Sequence, residues 1–193
     1  MDAASVPERH PLRIAAVAAA VTLLLLAAGA ATLFLWLRSY EPLDADGAFA
    51  PGPHLAADVQ PVTGSGGRPV LIPAYRRGRA FDTAFTLRNT GRFAVEISGL
   101  GADVSSRALK PVTLLTTDSS TASADPDHLH PFRRLRLDRG DRAILVVRWQ
   151  LDCTDATRDV FADSVPLRYD YLSLFTRTER VELPYAVTLR CSG

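Results

Sequence analysis

The chain is poor in several residue types, and each shortage narrows the reading. Lys110 is the only lysine among its 193 residues, Met1 the only methionine, and Cys153 and Cys191 the only cysteines. The basic charge is therefore almost all arginine. Beside abundant alanine and aspartate this reflects a GC-rich coding bias, and blocks of such charge are ordinarily solvated faces. Formal net charge is +1, so no global field favours nucleic acid. No C-x-x-C joins the two cysteines, which removes a thioredoxin-like redox motif and a zinc half-site. No G-x-S-x-G elbow is present. The cluster Gly64-Ser65-Gly66-Gly67 lacks the Lys-Ser/Thr that would make it a phosphate loop. No cofactor is expected.

One long hydrophobic run is present. Residues 14–37 are apolar apart from Thr22, Gly29 and Thr32. Two dozen helical residues reach about 36 Å, enough to cross a hydrocarbon core of about 30 Å with some tilt. Trp36 and Tyr40 stand at its far end, where amphipathic rings favour the membrane interface. Arg9, His10 and Arg13 precede the run, while Glu41, Asp44 and Asp46 follow Arg38. The positive-inside bias makes residues 1–13 a short cytoplasmic tail and puts the rest outside the cytoplasm. Ala28-Gly29-Ala30 offers a signal-peptidase pattern, but residues 32–37 stay apolar beyond it, which favours an uncleaved anchor. Residues 38–53, rich in Pro, Gly, Ala and Asp, read as an extended spacer. Residues 54–193 are then one extracytoplasmic domain.

That domain reads as all-β. Residues 80–100 carry two alternating runs: Phe81, Thr83, Phe85 and Leu87, then Phe93, Val95 and Ile97. Asn89-Thr90-Gly91 lies between them and predicts a β-hairpin. Earlier strands are expected at residues 58–62 and 69–72, with Arg76-Arg77-Gly78-Arg79 as a turn. Later ones are expected at 102–104 and 112–115, and residues 116–131 read as the longest loop. Leu135 and Leu137 lead to a turn at Asp138-Arg139-Gly140-Asp141, where the two aspartates are expected to cap a hairpin. Three further strands carry Ala143, Leu145, Val147, Trp149 and Leu151; Val165, Leu167, Tyr169 and Tyr171; and Val181, Leu183, Tyr185, Val187 and Leu189. Cys153 and Cys191 continue the inward phase of the first and third of these. If the three run up, down and up, both thiols lie at one end of the domain, and outside the cytoplasm they would form a disulfide. Many short strands with turn signals and no amphipathic helix argue a two-layer antiparallel β-sandwich.

The runs F-T-L-R-N-T-G-R-F-A-V-E-I, P-F-R-R-L-R-L-D-R-G-D-R-A-I-L-V-V-R-W and L-P-Y-A-V-T-L-R-C resemble membrane-anchored immunoglobulin-like domains of actinobacterial envelope proteins, most of them uncharacterised. The resemblance covers residues 70–191. It implies an immunoglobulin-like sandwich and no particular activity, since sandwiches host unrelated functions. No tryptophan lies on a strand between the cysteines, so the antibody inter-sheet pin does not carry over.

Asp125, Asp127, His128 and His130 form the one cluster of candidate metal ligands, with H-x-H spacing suited to copper or zinc. The competing reading is a solvated loop shaped by Pro126 and Pro131. Paired carboxylates and scattered Ser, His and Asp residues assemble no recognisable hydrolytic site. Arg134 and Arg136 alternate with Leu135 and Leu137, as the outward face of a strand does. The expected function is a non-enzymatic, single-pass envelope module that binds or scaffolds an unidentified envelope protein. It would be held to the lipid bilayer by residues 14–37. Metal handling through the His128/His130 loop is the alternative.

Overall fold

The structure, a computed structural model, describes residues 10–46, 60–63, 69–72, 80–102, 109–117, 129–151 and 160–189. The chain divides into two units, Met1–Tyr40 and Glu41–Gly193.

The first unit is the helix α1, His10–Arg38. Within it, the 24 residues Ala15–Arg38 are long and apolar enough to cross a membrane, and none is buried against protein. Leucines 23 to 26 and Leu35 stand exposed on every side of the helix. The two threonines of this stretch satisfy their hydroxyls internally: Thr22 donates to the Ala18 carbonyl and Thr32 to the Ala28 carbonyl, each at 2.9 Å. A spanning helix needs that arrangement, because hydrocarbon offers no partner to a polar group. The helix closes with Ser39 N–H on Leu35 O and Tyr40 N–H on Leu37 O, just before Pro42.

The second unit is an immunoglobulin-like β-sandwich. Its strands are β1 Leu43–Asp46, β2 Gln60–Thr63, β3 Pro69–Ile72, β4 Ala80–Asn89, β5 Val95–Leu100, β6 Leu109–Thr117, β7 Leu129–Pro131, β8 Leu135–Leu137, β9 Arg142–Leu151, β10 Val160–Tyr171 and β11 Phe175–Leu189. One sheet runs β1-β4-β9-β6-β7 and the other β2-β3-β11-β10-β5-β8. The order β1-β4-β9-β6 against β5-β10-β11 reproduces the A-B-E-D and C-F-G sheets of the immunoglobulin fold. All pairs are antiparallel except β3 with β11, which is parallel.

The alternating residues meet between the sheets. Phe85, Leu87, Leu145, Val147, Trp149, Ile97, Val165, Leu167, Tyr169 and Tyr185 are all fully buried. Trp149 stacks on Phe81 with ring centroids 6.3 Å apart, and its Nε1–H donates to Thr83 Oγ1 at 2.8 Å. A buried indole needs such an acceptor.

Four expectations change. First, residues 80–100 are not a hairpin. β4 pairs with β1 and β9, whereas β5 pairs with β10 and β8, so the Asn89 corner carries the chain from one sheet to the other. Asn89 is fully buried there. Its Nδ2 donates to Phe93 O at 2.8 Å and Leu137 O at 3.0 Å, while its Oδ1 accepts Gly91 N–H at 2.9 Å. A residue so occupied anchors a corner, not a two-residue hairpin loop. Second, residues 138–141 form the expected turn, with Asp141 Oδ2 accepting the Asp138 N–H at 2.9 Å. It too links the sheets, since β8 and β9 belong to different ones. Third, the spacer expected over 38–53 is interrupted: β1 pairs with β4 from Leu43 opposite Asn89 to Asp46 opposite Thr86. Leucine followed by a single alternation was too short a pattern to register. Fourth, the loop expected over 116–131 is strand at both ends, with Thr117 opposite Leu129 and Leu115 opposite Pro131.

The strands expected at 58–62 and 69–72 appear as Gln60–Thr63 and Pro69–Ile72, which pair antiparallel. The arginine turn at 76–79 and residues 103–104 of the strand expected at 102–104 lie outside the described residues, as do Cys153 and Cys191, while Ala102 is a bend.

Candidate functional site

Three connections meet at one end of the sandwich: the Asn89 corner, the 138–141 turn and the β10–β11 hairpin. Val95 ties them together, lying opposite Tyr171 on one side and Leu137 on the other.

The hairpin is the unexpected element. Tyr171 pairs with Phe175, and the Leu174 N–H closes the turn on the Tyr171 carbonyl at 3.3 Å. Leu172 and Ser173 both take φ of 53°. Left-handed backbone at both central positions defines the type I′ turn, which Asn-Gly or Asp-Gly normally fills. A residue with a Cβ carries a cost of about 1–2 kcal/mol there. The result places Leu174, 82% exposed, and Leu172, 41% exposed, at the tip. Strained backbone that displays apolar side chains is a functional indicator.

Beside the tip lies a groove of about 240 Å³, bounded by Phe93, Val95, Glu96, Arg136, Asp170 and Leu172. That is below the roughly 300–1,000 Å³ of ordinary small-molecule pockets, and it suits a side chain or a short peptide segment. Glu96 lies directly opposite Asp170 on one side and Arg136 on the other. Two carboxylates facing each other across a strand pair are unfavourable for the sheet. Arg134 relieves part of this through an exposed ion pair with Glu96 at 3.2 Å, a contact worth little by itself. Arg136 pairs with Asp138 at 3.2 Å, and the Thr176 hydroxyl donates to Asp170. Arg134 and Arg136 are thus exposed, on the outward side as their alternation suggested.

A second acidic group lies deeper. Glu179 on β11 has only 8% of its surface exposed. Burial pushes its carboxyl up to about 7, although a hydrogen bond from Tyr169 and one from the Leu43 backbone N–H favour the charged form. It joins β1 to the other sheet. Its phase is that of Val181 and Leu183, although a carboxylate in sequence ordinarily marks an outward position.

Of the candidate metal ligands, His130 is exposed on β7, opposite Thr116. Asp125, Asp127 and His128 lie outside the described residues. Among the described residues no three His, Cys, Asp or Glu side chains gather as a metal site would require. Leu172 and Leu174 carried no recognisable signal in sequence, because a Leu-Ser-Leu turn contains none of the Gly, Asn or Asp that ordinarily fill left-handed turn positions.

No family model matches this sequence, and no curated protein matches it. Among the solved structures similar to part of it are two of low sequence identity. The Vibrio cholerae VesB protease matches at a TM-score of 0.32 with 13% identity, covering 63% of this chain and 30% of the protease. The ASH/PapD-like domain of human CEP192 (PapD-like domain 7) matches at a TM-score of 0.29 with 10% identity, covering 63% of this chain and 79% of that one. Likeness of this degree transfers no activity.

Proposed function

We propose that this chain is a single-pass, membrane-anchored module of the cell envelope that binds or scaffolds another envelope protein and catalyses no reaction. The observation that carries the proposal is the groove between Glu96, Asp170 and Arg136 beside the strained Leu172-Ser173 turn. Loops at one end of a rigid sandwich are where such domains place binding residues. The opposed carboxylates favour a partner segment that brings a basic residue, with an apolar neighbour to meet Phe93.

In this reading α1 is an uncleaved anchor through the bilayer. Arg9, His10 and Arg13 keep the N-terminus in the cytoplasm, and the sandwich lies on the outer side. That compartment favours a bond between Cys153 and Cys191. The resemblance to actinobacterial immunoglobulin-like envelope domains fits the same placement.

Crosslinking in intact cells, followed by mild detergent extraction, tests the role. The wild-type chain is compared with a Glu96→Arg/Asp170→Arg variant. A protein species captured by the wild type and lost from the variant supports the groove as the docking site. The same species captured equally by both removes the groove from the function.

A further inference from the structure

We propose that Leu174 and Leu172 are seated in the interface of the bilayer that α1 crosses, so that the sandwich holds the membrane at a second point. The inference rests on the anchor reading above and names the surroundings in which the groove works.

Chain connectivity supplies the first support. α1 ends at Arg38 and β1 begins at Leu43. Residues 39–42 join them, and their covalent path, fully extended, reaches about 17 Å. β1 starts at the Asn89 corner: Leu43 lies opposite Asn89, and the Pro42 carbonyl accepts the Thr90 N–H at 2.8 Å and the Thr90 hydroxyl at 3.0 Å. A chain leaving the membrane at Arg38 therefore enters the sandwich at this end.

The leucine tip belongs to the same end. Asn89 Nδ2 bonds the Leu137 carbonyl, Leu137 lies opposite Val95, and Val95 lies opposite Tyr171, one residue before the tip. The opposite end begins with Val160 and Phe161 on β10, paired with Leu189 and Thr188. A strand as long as β10, 12 residues, spans about 40 Å. The far end therefore lies beyond the headgroup layer when the near end is held against it.

The chemistry favours lipid over a free protein as the occupant of the tip. Two leucines cover far less than the roughly 1,000 Å² a specific protein interface needs. A tethered domain, however, meets the bilayer at an effective concentration near the millimolar range, so a shallow apolar contact is enough to hold it. Exposed arginines complete the surface, Arg92 in the Asn89 corner and Arg139 in the 138–141 turn. Their guanidinium groups suit phosphate headgroups. The acids of that turn are already engaged, Asp138 by Arg136 and Asp141 by the Asp138 N–H.

The test uses the full chain reconstituted in vesicles of phosphatidylcholine and phosphatidylglycerol. A benzophenone amino acid replaces Leu174 in one sample and Phe161, exposed at the far end, in another. After irradiation, mass spectrometry separates lipid adducts from protein adducts. The expected result is lipid adducts at position 174 roughly tenfold above those at 161, as tethered insertion requires. Equal lipid labelling at the two positions, or only protein adducts at 174, overturns the inference. Extraction of the same vesicles with alkaline carbonate tells its failure from failure of the anchor reading. A chain that washes off overturns both, whereas a retained chain without lipid adducts at 174 overturns the inference alone.

Discussion

Asn89 and Asp141 are joined through their backbones, the Asn89 N–H donating to the Asp141 carbonyl at 3.0 Å, while Gly140 N–H returns to the Asn89 carbonyl at 2.8 Å. Two of the corners that carry the chain between sheets are therefore one hydrogen-bonded unit. The Asn89 side chain adds bonds to Leu137, Phe93 and Gly91. β4, β5, β8 and β9 are all positioned from this knot, and so is the groove.

Replacing Asn89 with alanine takes the Asn89 partner from the buried Leu137 carbonyl, the part-buried Phe93 carbonyl and the buried Gly91 N–H. At about 1–3 kcal/mol for each buried group left unpaired, partly offset by relaxation, the domain should lose about 3 kcal/mol. Asn89→Asp should cost nearly as much, because it removes both donors. Urea denaturation of the detergent-solubilised chain measures the loss. A cost below about 1 kcal/mol for the alanine variant would mean that the corner is held elsewhere.

The carboxyl of Glu179 sets a pH dependence. In the folded domain it holds its proton up to about 7, against an ordinary value of 4.5. The folded state thus binds the proton more tightly, and this contribution is fully present below pH 4.5 and lost as pH rises to 7. With allowance for solvent screening the loss amounts to about 1–2 kcal/mol. Glu179→Gln should flatten the fall in melting temperature across that window and stabilise the domain above it. Thermal melts from pH 4 to 8 decide; a variant with the same slope as the wild type refutes the assignment.

Thr83 and Trp149 form a buried pair, with the Tyr185 side chain also hydrogen-bonded to Thr83, and the pair suits a conservative test. Thr83→Val keeps the volume and leaves the indole N–H without the 2.8 Å partner it now has. The cost should be about 1–2 kcal/mol, and Thr83→Ser should recover most of it. Equal stability of the valine and serine variants would show that the hydrogen bond contributes nothing net.

The cysteines offer a test of compartment. β9 and β11 lead toward Cys153 and Cys191, and β11 ends with Leu189 opposite Val160, the start of β10. The protein isolated without reductant should take up no thiol reagent even when unfolded. Loss of either cysteine should cost about 3–4 kcal/mol by loop entropy. Ready labelling of both thiols in the unreduced protein would contradict the extracytoplasmic placement.

Sequence alone determined the features that depend on composition and local period. A two-dozen-residue apolar run with no polar face reads as a helix long enough to cross a membrane. The period-2 runs named the buried residues from Phe81 to Leu87, Leu145 to Trp149, Val165 to Tyr171 and Val181 to Val187, because side-chain alternation is a property of the single strand. Tertiary structure decided which strands are neighbours. Alternation reports the buried face and says nothing of the partner, so the run Phe81 to Ile97 looked like a hairpin although its halves lie in opposite sheets. It also decided where charge is buried and where apolar side chains are displayed. Glu179 is enclosed only because β1 packs across it, and the Leu172 turn is left-handed only because Tyr171 and Phe175 are held in register. Both depend on long-range pairing, whose cost is met by the whole sandwich and leaves no mark in a short window of residues.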